Sequence, residues 1–207
     1  LPESAEELFR ERVHRLSPGQ RELVEIAAVA GDVFWPDLLV SMAKNAVRED
    51  DIRGLVDRGF FKGKRDAMVD GNQGYGFAQV AMAESVYRNI PLQRRRELHG
   101  SIAMWLENLP DGAAQSDDAL IGTHYRIAER AKQALPYLMR SGAHSLAHGS
   151  VQKAAEDLEH AHTLLNQLKE TEVDDREDVA REIGSNLMNC RVSVGQNEDA
   201  LDLAQSL

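Results

Sequence analysis

The sequence predicts a mainly α-helical protein that carries one small β-hairpin. Apolar residues recur at helical spacing over most of the 207 residues, and only 5% of residues are aromatic whereas Ala and Leu are abundant. The period-two pattern of side chains that is typical of β-strands is confined to one stretch, FFKGKRDAMVDGNQGYGFAQV, at residues 60–80. We therefore expect helices before and after a single pair of strands.

Four short helices are predicted before the hairpin. The second has the clearest boundaries, because Ser17 is an N-cap residue, Pro18 suits the first helical position and Gly31 suits the end. In the first helix, Ser4 and Glu7 have the spacing of a capping box. The four predicted spans are residues 3–16, 17–30, 36–43 and 48–58.

The order of elements in the first half is that of a winged helix. Turn formers such as Asp70 and Gly71 separate the two predicted strands, which form the wing. A helix follows from Ala81 to Asn89, Pro91 interrupts it, and another helix carries apolar residues on one face up to residue 109. Residues 1–110 are therefore predicted to be a winged-helix domain with flanking helices.

The loop PDGAAQSDD, residues 110–118, is the predicted domain boundary. Residues 111–207 are predicted to form a tetratricopeptide-like α-helical array with irregular repeats. The positions of small and large apolar residues support this, because small residues let paired helices approach closely. We expect further chain before Leu1 and further repeats after Leu207. The supporting residues are Ile121, Gly122, Tyr125, Ala134 and Leu138, the stripe at 151–168 and the segment 197–207.

The charge of the chain is unevenly distributed. The formal net charge is −10, with 15 basic and 17 acidic residues in positions 1–110 but 9 basic and 17 acidic residues in positions 111–207. An acidic surface repels phosphate backbones, so nucleic-acid binding is disfavoured. No apolar run reaches the length of a membrane span, and Cys190 has no second cysteine with which to pair. We expect a cytoplasmic protein that does not bind membranes.

Two groups of basic residues are candidate interaction sites. Lys62, Lys64 and Arg65 lie on the predicted wing, where a winged helix touches DNA, although the helix at 48–58 is rich in carboxylates. Arg94 and Arg95 belong to an arginine run at the start of a helix, and successive helical residues point about 100° apart. The run therefore predicts a solvated, salt-bridged helix start with acidic partners on neighbouring elements rather than a shared clamp.

No catalytic residue, metal site or cofactor site is predicted in this chain. The segment from Gly59 to Arg65 lacks the spacing and the Ser or Thr of a phosphate-binding loop. His144 and His148 are four residues apart, but Ser145 stands where a zinc protease has its catalytic Glu. Cys190 lies on an apolar stripe, which predicts a buried, inert thiol.

Several segments taken in order resemble the region that follows the ATPase core in bacterial STAND-type signalling ATPases, which are often fused to adenylate or guanylate cyclase, kinase or LuxR-type modules. These segments are LPESAEELFRERVHRLSPGQRELVEIAAVAGDVF, DIRGLVDRGFF, YGFAQVAMAESVYRNIPLQRRRELHGSIAMWLE and HYRIAERAKQALPYLMRSGAHSLAHGSVQKAAEDLEHAHTLL. The resemblance covers roughly residues 1–168.

The resemblance implies a coupling role. In this family the winged helix packs on the nucleotide domain and transmits its state to helical repeats that bind a protein or small-molecule effector. ATP or ADP is then expected only in an upstream ATPase domain of the same chain. Gln79 replaces the family's nucleotide-sensing His in the pattern Tyr75-Gly76-Phe77-Ala78-Gln79, and its amide can still donate to a phosphate.

The leading hypothesis is a non-catalytic regulatory and protein-interaction part of a multidomain signalling ATPase. The alternative is a DNA-binding winged-helix transcription regulator with a helical effector domain. A third hypothesis is an adaptor whose helical half binds a peptide.

Overall fold

A computed structural model describes residues 5–44, 47–69, 72–109 and 117–193. Within these ranges the chain forms ten α-helices, one 3-10 helix and two antiparallel strands. The prediction of a mainly α-helical protein with one small β-hairpin is confirmed. The features predicted at Ser4, at the turn 70–71, in the loop 110–116 and in the segment 197–207 lie outside the described residues.

The elements of the first half are α1 (Ala5–His14), α2 (Pro18–Ala30), α3 (Pro36–Met42), α4 (Glu49–Asp57), β1 (Phe61–Val69), β2 (Asn72–Phe77), α5 (Val80–Asn89) and α6 (Leu92–Glu107). Those of the second half are α7 (Asp118–Ile127), α8 (Ala131–Ala147), α9 (Val151–Gln167), the 3-10 helix Glu170–Glu172 and α10 (Arg176–Ser193). The predicted helices of the first half are all present, with boundaries that differ from the predictions by a few residues. The 3-10 helix was not predicted.

Helix α2 begins and ends as its sequence predicts. The Ser17 hydroxyl accepts a hydrogen bond of 3.2 Å from the Gln20 amide, and Pro18 occupies the first turn. Gly31 follows the helix with a φ of 103°, a backbone conformation that residues with a Cβ rarely adopt. Helix α2 is also the centre of the first core, since Leu23, Val24, Ile26 and Ala27 are fully buried.

Three phenylalanines attach the hairpin to the helices. The ring centroids of Phe34, Phe61 and Phe77 lie 4.8, 5.3 and 6.0 Å apart in edge-to-face arrangements. The backbone amides and carbonyls of Phe34 and Tyr75 exchange hydrogen bonds of 2.9 and 2.8 Å, so the segment after α2 is fixed beside β2. The hairpin is thus held by both ring packing and backbone pairing.

Two helix pairs of the second half have the same type of contact, in which a glycine of one helix packs against a leucine of the next. A Cβ added to Gly122 would lie 2.9 Å from Leu138 Cγ, and one added to Gly142 would lie 2.6 Å from Leu158 Cγ. Each leucine follows its glycine by sixteen residues, and the second pair follows the first by twenty. The same close approach therefore joins α7 to α8 and α8 to α9.

The described residues divide into two compact units. The first extends from the start of the described chain to Trp105, and the second runs from Leu106 to the end of α10. The division falls within the last turn of α6, whereas the sequence places the domain boundary after residue 110. None of the helices in the described ranges has both the length and the apolar character needed to cross a membrane.

Candidate functional site

A cleft in the first unit is lined by three cationic side chains. It has a volume of about 430 Å³ and lies where the end of α2, the hairpin and α5 meet. The cations are Lys62 and Lys64 of β1 and Arg88 of α5. We call it the basic cleft. Its other lining residues are Ala28, Gly31, Asp32, Phe77, Val80, Ala83, Glu84 and Tyr87.

Strand alternation places the two lysines together. Phe61 points into the core, so Lys62 points to the opposite face of β1, and Lys64 returns to the face of Lys62 two residues later. The Lys62 ammonium donates a hydrogen bond of 3.4 Å to the Ala78 carbonyl at the end of the hairpin. The pair of lysines is therefore a direct consequence of the strand register.

Gly76 allows Lys64 to lie close to the backbone of the cleft. Gly76 pairs with Lys62 across the hairpin. A Cβ added to Gly76 would lie 2.6 Å from Lys64 Cε and 2.7 Å from the Asp32 carbonyl oxygen, which is closer than real Cβ contacts come. Only glycine at this position leaves room for both neighbours.

The lining of the cleft carries a net positive charge of one. Asp32 and Glu84 oppose the three cations of its wall. Arg88 also lies 3.7 Å from Glu6 of α1, but both side chains are largely exposed, and such pairs contribute at most about 1 kcal/mol. Arg88 can therefore exchange Glu6 for another carboxylate at small cost. Val80, which also lines the cleft, is exposed.

Two of the predicted site residues, Arg65 and Gln79, are not among the residues that line the cleft. The side chain of Arg65 lies outside the described residues. Gln79 is the N-cap residue of α5, is exposed, and makes no side-chain capping hydrogen bond. It stands between Ala78, which accepts from Lys62, and Val80, which lines the cleft.

Arg94 contacts the first core through Glu22. Its guanidinium lies 3.4 Å from Glu22 Oε1 and 3.9 Å from a Glu97 oxygen. Glu22 is 9% exposed and Arg94 is 24% exposed, so this ion pair is shielded from water. Arg94 thus joins α6 to α2 through an acidic partner on a neighbouring element.

Arg95 has an aromatic partner. Its guanidinium carbon lies 5.0 Å from the centre of the Tyr87 ring, and the Tyr87 hydroxyl is 3.0 Å from His99 Nε2. Tyr87 in turn lines the basic cleft. Arg94 and Arg95 therefore use different partners, and only Arg95 contacts a residue of the cleft.

Arg88 and Tyr87 are cleft residues that the sequence analysis did not single out. Both lie on α5, more than twenty residues from the lysines of β1, and helical spacing alone does not show which strand faces them. The available signal was the exposed face of α5, on which Glu84 and Arg88 are one helical turn apart.

A glutamate in the second unit accepts hydrogen bonds from two tyrosines. The hydroxyls of Tyr125 and Tyr137 each lie 2.5 Å from an oxygen of Glu107. These bonds lower the pKa of Glu107, with Tyr125 the larger cause. Burial, followed by the bond to Glu107, raises the pKa of Tyr137 to about 12. Arg140 stacks 4.5 Å from the Tyr137 ring centre and pairs with Asp118 at 2.8 Å.

The sequence also raised His144 and His148 as possible metal ligands and Cys190 as a possible nucleophile. The rings of His144 and His148 lie 4.1 Å apart, and His148 Nδ1 is 2.8 Å from the His144 carbonyl. In the parts of the chain that the structure describes, no three His, Cys, Asp or Glu side chains come together as metal ligands. Cys190 is 1% exposed, and burial raises the pKa of its thiol.

Comparison with known proteins gives one weak similarity. An uncharacterized protein of Rhizobium meliloti (strain 1021) is 26% identical over 175 residues, which is 81% of this chain. The chain spans only 16% of the length of that relative. No family model matches the chain. No solved structure matches it either.

Proposed function

We propose that the chain is a non-catalytic regulatory and protein-interaction part of a multidomain signalling ATPase. In this proposal the first unit is a winged helix that packs on a nucleotide domain. The second unit is a tetratricopeptide-like array that senses a protein or small-molecule effector. Nucleotide binds to the upstream domain rather than to this chain.

The observation that carries the proposal is the repeated glycine–leucine contact of the second unit. Gly122 with Leu138 and Gly142 with Leu158 join successive helices in the same way. Arrays of paired helices present extended surfaces to partners, and small residues at the crossings let such helices stack. This repetition favours a recognition surface over a catalytic cleft.

The first unit contributes a second line of support. In this proposal helix α4 is the recognition helix of the winged helix, yet its first turn is acidic. Arg53 of α4 pairs with Glu49 at 3.2 Å and with Asp50 at 3.1 Å, so its charge is already compensated within the helix. A helix of this kind is poorly suited to phosphate backbones, which favours a protein partner.

The basic cleft supplies a face for contact with the nucleotide domain. Its lining combines three cations, two carboxylates and apolar residues such as Ala28 and Phe77, and a surface with this small net positive charge suits an acidic protein partner. The length of the Rhizobium meliloti relative, about six times the matched segment, supports a multidomain parent.

The deciding experiment is hydrogen–deuterium exchange on the full-length parent protein with ADP and with a non-hydrolysable ATP analogue. We expect the peptides that cover α2, β1 and α5 to differ between the two nucleotides, because these elements line the cleft. Identical exchange with both nucleotides would contradict coupling. Phosphate release from ATP by the 207-residue chain alone would contradict the non-catalytic assignment.

A further inference from the structure

Helix α1 places a carboxylate next to one cation of the basic cleft. Glu6 Oε1 lies 3.7 Å from a guanidinium nitrogen of Arg88, and Glu6 is not among the residues that line the cleft. Glu84 precedes Arg88 by four residues on α5, which is the favourable order for an ion pair within a helix. Among the described residues, however, Arg88 pairs with Glu6 rather than with Glu84. The partner of this cation therefore comes from a different helix.

Other contacts hold α1 in place. Phe9 is buried, and the Arg12 guanidinium donates a hydrogen bond of 2.8 Å to the Arg58 carbonyl. The Glu6 carboxylate is thus kept near Arg88 at a high effective concentration. A carboxylate from a partner protein has to compete with it for the guanidinium.

The pair of Glu6 and Arg88 determines the charge that the cleft offers to a partner. While Arg88 is paired with Glu6, its charge is compensated, and the two lysines of β1 are matched in number by the two carboxylates of the lining. Release of Glu6 from Arg88 gives the lining its net positive charge of one. An acidic surface is attracted more strongly to the second state than to the first.

This ion pair is accessible and weak enough to be exchanged. The Arg88 side chain is 63% exposed and that of Glu6 is 49% exposed. Exposed ion pairs form with equilibrium constants of about 1–5, so the need to break this pair raises the apparent dissociation constant of a partner by about two- to sixfold. The contact therefore adjusts the affinity of the cleft without closing it.

We propose that Glu6 of α1 competes with an acidic partner surface for Arg88, so that α1 weakens docking on the basic cleft. The proposal deepens the proposed function, because it adds regulation to the cleft, and it rests on that function in taking an acidic protein surface as the occupant. Any change that removes Glu6 from Arg88 strengthens docking.

The test is nuclear magnetic resonance titration of the 207-residue chain with an end-blocked hexapeptide of alternating glutamate and leucine. The backbone amide signals of Lys62 and Lys64 report binding, since both residues line the cleft. The peptide should give saturable shifts, whereas the same peptide with glutamine in place of glutamate should give none. Glu6→Gln should tighten binding of the acidic peptide by about two- to sixfold.

Glu11→Gln is the matched control. Glu11 is exposed on α1 and pairs with Arg15 at 3.5 Å, so its replacement removes the same formal charge without changing the partner of Arg88. At about 0.15 M salt, peptide affinity should change by less than about 1.5-fold in this variant. In an Arg88→Gln protein, Glu6→Gln should no longer tighten binding, because the group for which Glu6 competes is absent.

Four outcomes would overturn the proposal. They are the absence of a saturable shift up to about 10 mM peptide in the Glu6→Gln protein, an equal response to the glutamine peptide, equal effects of Glu6→Gln and Glu11→Gln, and an effect of Glu6→Gln that persists without Arg88. None of these measurements involves nucleotide, so failure here would leave the exchange experiment on the parent protein unaffected. Nucleotide-independent exchange, in turn, would contradict coupling without changing the competition at Arg88.

Discussion

The surroundings of Glu25 and Glu107 shift the pKa values of these two glutamates in opposite directions. Burial in the first unit raises the pKa of Glu25, and the neighbouring Glu22 adds to this, whereas Arg94 opposes it. In the second unit, the hydroxyls of Tyr125 and Tyr137 lower the pKa of Glu107. The ionised carboxylate is therefore unfavourable at Glu25 and favourable at Glu107, which gives opposite predictions for the same substitution.

Glu25→Gln is expected to raise the thermal stability of the protein at pH 7. A raised folded-state pKa means that the folded state binds the proton more tightly, so the stability of the wild type falls as pH rises from the unfolded pKa through the folded one. The gain in Tm should shrink as the pH is lowered towards 4. Melting curves of both proteins from pH 4 to pH 8 measure this. A pH-independent difference would show that titration of Glu25 is not its cause.

Glu107→Gln is expected to lower stability at pH 7 by about 1 kcal/mol, the net value of a typical hydrogen bond. A lowered folded-state pKa contributes stability above the unfolded pKa, and that contribution is lost as pH falls through the folded pKa. The difference from wild type should therefore shrink below about pH 4. Urea unfolding at pH 7 and at pH 3.5 checks this. A larger deficit at the lower pH would contradict the assignment.

At the scale of elements, the second unit depends on glycines within helices. Gly142 lies in the middle of α8, where glycine costs about 1 kcal/mol relative to alanine. Gly142 is nevertheless buried against Leu158 of α9. A side chain with a Cβ at this position would prevent α9 from packing as closely against α8. Ser141, beside it, donates a 2.6 Å hydrogen bond to the buried Asp157, which also pairs with Lys153 at 2.9 Å. The α8–α9 pair thus combines close packing with a satisfied polar contact.

Gly142→Ala is expected to destabilise the protein by about 1–3 kcal/mol, because overpacking outweighs the gain in helix propensity. The added Cβ would lie 2.6 Å from Leu158 Cγ. Urea unfolding measures the change. Gln133→Ala is the control, since Gln133 is exposed on the same helix and its replacement should stay within about 0.5 kcal/mol of wild type. If the Gly142→Ala protein is as stable as the control, α9 can move away from α8 and accommodate the added Cβ without a loss of stability.

Ser17→Ala is expected to cost about 1 kcal/mol of stability. The Ser17 hydroxyl satisfies the Gln20 amide at the start of α2, and alanine would leave that amide without its side-chain acceptor. Chemical denaturation measures the loss. Ser17→Asp should retain most of the stability, because a carboxylate also caps a helix and favours its positive end. Equal losses in both variants would argue against the capping role.

Local chemistry explains which elements could be predicted. The start and end of α2 follow from Ser17, Pro18 and Gly31, which act on their immediate neighbours. The face shared by Lys62 and Lys64 follows from strand alternation. By contrast, the role of Gly142 depends on Leu158, which is sixteen residues away on another helix. Sequence alone presents such a glycine only as a weak helix former.

The candidate sites were harder to predict because they form where separate elements meet. Arg88 joins the lysines of β1 only through the packing of α5 beside the hairpin. The stacking of Arg95 on Tyr87 needs the positions of both α5 and α6. Residue type indicated that charges were present but could not show which of them share a surface.

For the whole molecule, the distribution of charge gives different expectations under the two main functional hypotheses. The chain carries a formal net charge of −10, and its basic and acidic residues are nearly balanced only in the first half. Phosphate-backbone binding requires a locally positive face, and its strength falls steeply with salt. The two lysines of β1 are offset within the cleft by Asp32 and Glu84, and α4 begins with three carboxylates. A DNA-binding role therefore has to rest on a very small basic area.

We expect the 207-residue chain not to bind mixed-sequence duplex DNA in fluorescence anisotropy, even at low salt. The reason is that neutralising only two or three phosphates gives weak binding, while the acidic residues of α4 and of the second half repel the duplex. The control replaces Lys62, Lys64 and Arg65 with Glu and should behave like wild type. Binding that weakens steeply with salt and disappears in the triple variant would instead make the hairpin a DNA-contacting wing. The role of the basic cleft in holding a protein domain would then have to be abandoned.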